Sequence, residues 1–158
     1  LKYRCLKGAF VEHASEDLVI AGSLDRCFSV VADVESYPLW VADIREVQVL
    51  ERDENQRASL VRFRAGAFGR SANYILRYDY SKAPNRLSWL QTEGDITNKL
   101  NGSYEFEATD IDTTLVRYAI EVDLKVPIPG FVKRRAEGHI LHAAIWDLKE
   151  RVEARARQ

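Results

Sequence analysis

The sequence contains no methionine and only two cysteines, Cys5 and Cys27, among its 158 residues. One possible bridge is too few for the disulfide framework that staples small secreted domains, and a reducing cytoplasm fits this usage better. Without a Met, Leu1 reads as a cut or processed end, and Leu1 to Ala9 lack the charged-then-apolar pattern of a signal segment. No apolar run approaches the roughly 20 residues a membrane-crossing helix needs. Neither sign of charge is in surplus: 23 basic against 24 acidic residues give a net charge of -1. That leaves no whole-molecule field for nucleic acid, which is not an expected partner. A transient membrane contact or a macromolecular partner would need a local patch, and the sequence does not specify an oligomeric state. There is also no repeat, low-complexity tract or Pro/Gly/Ser-rich linker. Residues 10–157 are therefore expected to form one domain behind a short N-terminal extension, 1–9.

What is present is a rhythm of turn signals every ten or so residues, which indicates an antiparallel sheet. Ala14 to Ile20 supplies a first strand. Ser23 then stands as an N-cap with Asp25 in the first turn, and Leu24, Cys27, Phe28 and Val31 follow helical spacing until Asp33 and Val34. Tyr37-Pro38-Leu39-Trp40 reads as a second short helix, since Pro is tolerated in the first turn. Six strands are expected near 46–52, 57–64, 71–80, 86–93, 99–109 and 113–126. The last carries the clearest pattern, with Val116, Tyr118, Ile120, Val122 and Leu124 alternating with Arg117, Ala119, Glu121 and Asp123. Along 71–80, Tyr74, Leu76, Tyr78 and Tyr80 alternate with polar residues, except where Ile75 breaks the wet face. After Pro129 the period changes to about 3.6 residues. Val132, Ala136, Ile140, Ala143, Ala144, Leu148 and Val152 then mark one helix from Phe131 to about Arg155.

These elements predict an α+β fold: a sheet of about seven strands, two short helices after the first strand, and one long C-terminal helix. A helix is about 10 Å wide, whereas six or seven strands at about 4.8 Å spacing span around 30 Å. A flat sheet could not be covered, so the sheet must curl around the helix. The helix residues near its middle, Ala136, Ala143 and Ala144, are small and would leave the space between helix and sheet partly unfilled.

This element order resembles the START-related, or SRPBCC, superfamily of polyketide cyclases, lipid-transfer domains and plant allergen-like proteins, whose architecture is the helix-grip fold. The resemblance spans Ala14 to Glu153. Ala32-Asp33-Val34-Glu35-Ser36-Tyr37-Pro38-Leu39-Trp40, Leu76-Arg77-Tyr78-Asp79-Tyr80 and Val126-Pro127-Ile128-Pro129-Gly130-Phe131-Val132-Lys133-Arg134-Arg135-Ala136-Glu137 are similar to its actinobacterial cyclase/dehydrase branch. The first of these motifs also resembles coenzyme Q-binding carriers. The resemblance implies a ligand cavity and no particular reaction.

The candidate lining follows from inward parity and the helix stripe. It comprises Trp40, Phe63, Tyr74, Leu76, Tyr78, Trp89, Tyr104, Phe106, Tyr118 and Ile120, with Val132, Arg135, Ala136, His139 and Ile140 from the helix. Buried phenols need hydrogen-bond partners, which in a cavity are water or ligand. His139 is the best candidate for moving a proton, although no catalytic residue is assigned. His139 and His142 lack the further ligands a metal site needs, and no cofactor motif, phosphate loop or nucleophile elbow occurs, so neither metal nor cofactor is expected. Gly66-Ala67-Phe68-Gly69 is a candidate lid at a hairpin tip. Lys133-Arg134-Arg135 opens the long helix, where positive charge opposes the helix dipole.

The leading functional expectation is binding or transfer of a lipid, quinone or polyketide-like molecule between sheet and helix. The alternatives are a cyclase or dehydratase using His139, a tyrosine or Arg135, and an interaction module that would use the basic turn.

Overall fold

The computed structural model describes residues 4–5, 11–67, 70–125 and 129–156. A two-residue edge strand, β1 (Arg4–Cys5), precedes β2 (Val11–Ile20), α1 (Leu24–Ala32), a 3-10 turn at Val34–Ser36, and α2 (Tyr37–Trp40). There follow β3 (Ile44–Arg52), β4 (Ala58–Ala67), β5 (Arg70–Asp79), β6 (Arg86–Gly94), β7 (Thr97–Asp110), β8 (Thr113–Leu124) and α3 (Gly130–Ala156). The sheet order is β1-β2-β8-β7-β6-β5-β4-β3 and every described pairing is antiparallel. This is the curved sheet of seven long strands and C-terminal helix that the sequence predicts, with β1 as an addition.

Local chemistry places each boundary. The Ser23 hydroxyl accepts from the Arg26 backbone N–H at 3.2 Å and caps α1, whose Cys27, Val30 and Val31 are buried. The curl comes from register shifts, in β3 against β4 between Ile44 and Glu46 and again at Val49 to Arg52, and in β5 against β6 between Ile75 and Leu76. Each shift bends and twists its strand. Ile75 and Leu76, on opposite faces of β5, are both buried.

Ala143, Ala144, Leu148 and Val152 of the expected α3 stripe are buried. What the stripe leaves out is Leu141 and Ile145, which are fully buried beside Leu148 and Val152. Leu141 and Ile145 bring more apolar area than the alanines, and the helix turns them inward as well. Ile140 is left half-buried, and the side chains of Val132 and Ala136 lie outside the described residues. The C-terminal half of α3 is held closely. Glu153 accepts from the Ala21 N–H at 3.0 Å, and a Cβ on Gly22 would meet Val152 Cγ1 at 2.5 Å. The N-terminal half is not: Phe131, Arg134, Arg135, Gly138 and His139 are all exposed.

Candidate functional site

The inner face of the sheet carries a continuous aromatic wall. Tyr37 of α2 stacks on Phe63 of β4 (6.1 Å between ring centroids), and Phe63 stacks on Tyr74 of β5 (5.4 Å). Further along, Trp89 of β6 lies 5.9 Å from Tyr78, 5.8 Å from Tyr104 and 6.0 Å from Tyr118. Tyr104 and Tyr118 are 4.9 Å apart, and Tyr104 stacks on Phe106. The wall exists because alternate residues of antiparallel neighbours come into register: Leu87 faces Tyr104, Trp89 faces Gly102, and Tyr104 faces Tyr118. Gly102 is required there, since a Cβ would meet Trp89 Cζ2 at 2.5 Å.

Three of the phenols are satisfied by backbone carbonyls. Tyr37 donates to Val31, Tyr80 to Ala58 at 2.7 Å, and Tyr104 to Ala144 of α3 at 2.7 Å. Among the described residues, the hydroxyls of Tyr74, Tyr78 and Tyr118 have no hydrogen-bond partner. The buried Trp40 Nε1 also has none. Trp40 Nε1 and Arg26 Nε are the fully buried side-chain donors without a partner among the described residues, and three phenol oxygens without a protein partner beside Trp40 mark a place where a partner can enter.

Burial holds the phenols of Tyr37, Tyr74, Tyr78, Tyr104 and Tyr118 in the neutral form, above the usual tyrosine range. They act as donors and acceptors, not as bases. In the unfolded chain the same groups ionise near about pH 10. The unfolded state therefore loses protons first on the alkaline side, so this contribution to stability is complete below that pH and is lost above it. A spectrophotometric titration is expected to show most phenolate appearing together with loss of the fold. Smooth ionisation around pH 10 with the far-UV signal intact would show these rings to be wet.

The placement of the predicted residues divides cleanly. Phe63, Leu76, Tyr78, Trp89, Tyr104, Phe106, Tyr118 and Ile120 are buried on the inner face, with Trp40, Tyr74 and Ile140 half-buried at its margin. Arg135 is exposed, which corrects its inward placement. His139 is likewise at the surface, where its Nε2 lies 2.5 Å from Asp43 Oδ2. The phase of α3 set by Leu141 and Ile145 turns it outward, so the histidine proton-transfer expectation loses its geometry. The candidate lid falls partly outside the described residues, at Phe68 and Gly69. Sequence reasoning missed Tyr37, which links Trp40 to Phe63. Its only signal was membership of the motif around Pro38.

Among the described residues, the buried polar side chains apart from tyrosine and Cys27 are Thr97, Ser103 and Thr114, so no carboxylate, lysine or histidine joins the phenols inside. Burial pushes the Cys27 thiol up, which makes it a packing group and a poor nucleophile. An open concavity of about 830 Å³ lies on the opposite, outer face of the sheet, along Ser15, Ala119, Ser103, Ser88 and Asp79. Its rim charges are already paired, as in Arg57–Asp53 and Arg86–Glu105. The unpartnered inner donors are the better mark of a site.

Comparison with known proteins agrees with this geometry. The family described as polyketide cyclase / dehydrase and lipid transport matches residues 20–149. A START superfamily protein from Mycobacterium smegmatis is 27% identical with a TM-score of 0.82, over 90% of this chain and 97% of that one. The Zhui aromatase/cyclase from a Streptomyces species gives 16% and 0.81, over 92% and 96%. A STAR-related lipid transfer protein from Xanthomonas axonopodis gives 14% and 0.72, over 96% and 91%. At such identities the last two speak for the fold alone. None of the curated proteins matches the chain.

Proposed function

This chain belongs to the polyketide cyclase/dehydrase and lipid transport family, and from that premise we propose that it binds a hydrophobic small molecule between the aromatic wall and α3. The observation that carries the reading is the set of unpaired inner donors, Tyr74, Tyr78, Tyr118 and Trp40. An indole N–H can only donate, and a phenol O–H that donates needs an acceptor. A ligand completing this interior therefore carries oxygen acceptors on an apolar frame, as a polyketide-like aromatic or a quinone does. A plain acyl chain would leave all four donors unpaired. The flat rings of Trp89, Tyr104 and Tyr118 suit a planar guest.

Binding or transfer is favoured over catalysis because the donors are neutral and no buried carboxylate, lysine or histidine lies beside them among the described residues. Native mass spectrometry on protein purified without added ligand, followed by extraction, tests the proposal. The expected result is retention of, or selective binding to, oxygenated aromatic molecules over straight-chain fatty acids. Equal indifference to quinones, polyketide-like aromatics and fatty acids would overturn it.

A further inference from the structure

The concavity on the outer face of the sheet crosses the strands instead of following one. Ser15 stands opposite Ala119, Ala119 opposite Ser103, Ser103 opposite Ser88 and Ser88 opposite Asp79, so a row of short side chains runs over β2, β8, β7, β6 and β5. At about 4.8 Å per strand the row is about 19 Å long. Two residues along from it, Asn101, Leu90 and Arg77 make a second row. Between the rows Trp89 and Tyr78 point inward and Gly102 carries no side chain, so main chain floors the space. Its volume of about 830 Å³ lies in the range of small-molecule sites.

Burial adds an observation independent of side-chain size. Of the buried polar side chains named above, Thr97 donates to Gln91 Oε1 and Thr114 to the Gly22 carbonyl at 2.8 Å. Ser103, 8% exposed, faces the concavity and has no hydrogen-bond partner among the described residues. Ser88, directly opposite, has none either. Asn101 accepts the Gln91 N–H on Oδ1 at 2.9 Å, which leaves both of its own N–H donors free among the described residues. Buried hydroxyls ordinarily find partners, and here the partner can come from the open side.

The charges around the concavity set the class of ligand. Arg77 pairs with Glu51 at 3.5 Å, Arg86 with Glu105, Arg57 with Asp53 at 2.8 Å and Glu121 with Lys99 at 3.3 Å. Asp79 accepts from the Ser81 N–H at 2.8 Å. Among the described residues no lining guanidinium or carboxylate is left over for an ion. The unsatisfied groups are hydroxyls and an amide, which are met by a neutral partner that both donates and accepts. Leu90, 62% exposed in the second row, adds an apolar edge suited to the C–H face of a sugar ring. We propose that this concavity is a second binding site, for a neutral saccharide of pyranose rings lying across the strands. The sheet itself separates it from the interior, so the proposal does not depend on any guest between the aromatic wall and α3.

Maltotriose, cellotriose and triacetylchitotriose, titrated into the isotope-labelled full chain and followed by amide NMR shifts, test it. The expected result is saturable shifts centred on Ser88, Asn101 and Ser103 with at least one of these sugars, and none with inorganic phosphate. Ser103→Ala is expected to weaken that binding by about two- to tenfold, the contribution of one neutral hydrogen bond. Because Ser103 bonds no described protein group, the same variant should melt with the wild type, which separates lost binding from lost folding. Ser103→Leu, which fills the concavity at its middle, should abolish the shifts. Absence of saturable shifts at these amides with all three saccharides would overturn the proposal. So would wild-type affinity in both serine variants, or a stronger response to phosphate than to any saccharide.

Discussion

Replacing Trp89 with alanine is expected to lower stability by about 3–5 kcal/mol, the range for truncating a large aromatic in a packed core. Trp89 is 7% exposed and touches the rings of Tyr78, Tyr104 and Tyr118. It also lies against the bare backbone of Gly102, where no side chain could move in to fill the space. Neighbours on three strands would lose a common contact, and the strands are fixed by their ladders, so collapse into the gap is limited. Urea denaturation followed by circular dichroism measures the loss. A change below about 1 kcal/mol would mean that the wall is loosely packed and that Trp89 borders open space instead of filling it.

The second large effect separates binding from stability. Converting Tyr74, Tyr78 and Tyr118 together to phenylalanine removes three hydroxyls that have no partner among the described residues. Removing a hydroxyl that bonds no protein group takes no internal hydrogen bond from the fold, so the variant should be about as stable as the wild type. Ligand affinity should move the other way. If each hydroxyl forms one neutral hydrogen bond to the guest at about 0.5–1.5 kcal/mol, the triple variant binds about ten-fold to a thousand-fold more weakly. By contrast, Tyr104→Phe removes a bond to Ala144 and is expected to cost stability. Isothermal titration with a ligand recovered from the wild type, read beside thermal unfolding, distinguishes the two. Unchanged affinity in the triple variant would sink the assignment of these phenols to the site.

The legible parts of this fold were those where one force acts alone. The alternation along β8 reports a sheet wet on one side only, and Val116, Tyr118 and Ile120 are buried as it predicts. The Ser23 cap set the start of α1 to the residue, because a hydroxyl accepting from a free N–H is a local matter. The long helix was legible in extent and in part of its buried side, at Ala143, Ala144, Leu148 and Val152, but not at Leu141 and Ile145. Two apolar stripes share it, one rich in alanine and one containing Leu141 and Ile145. How far the buried arc extends around the helix depends on area buried against the sheet, which no spacing reveals. His139 was misplaced for that reason, and its partner Asp43 could not be foreseen, since that contact joins α3 to a turn with φ 71° nearly a hundred residues earlier. The aromatic wall was readable residue by residue from parity. Which of its hydroxyls would find a carbonyl was not, because Ala58, Val31 and Ala144 are brought to them only by the closed fold.

The sheet order carries a consequence for biosynthesis. β2 pairs with β8 along its whole length, from Val11 opposite Asp123 to Ile20 opposite Thr114. A nascent chain emerging from the ribosome thus exposes its first long strand for most of translation before the neighbour exists. β3 to β7 can meanwhile build up hairpin by hairpin, but the growing edge stays open until β8 arrives. Closure then joins the oldest and the newest parts of the polypeptide, a long-range event that sets a slow step in folding. A chain interrupted before Thr113 would keep two unpaired edges and an uncovered aromatic face, the combination from which aggregates start.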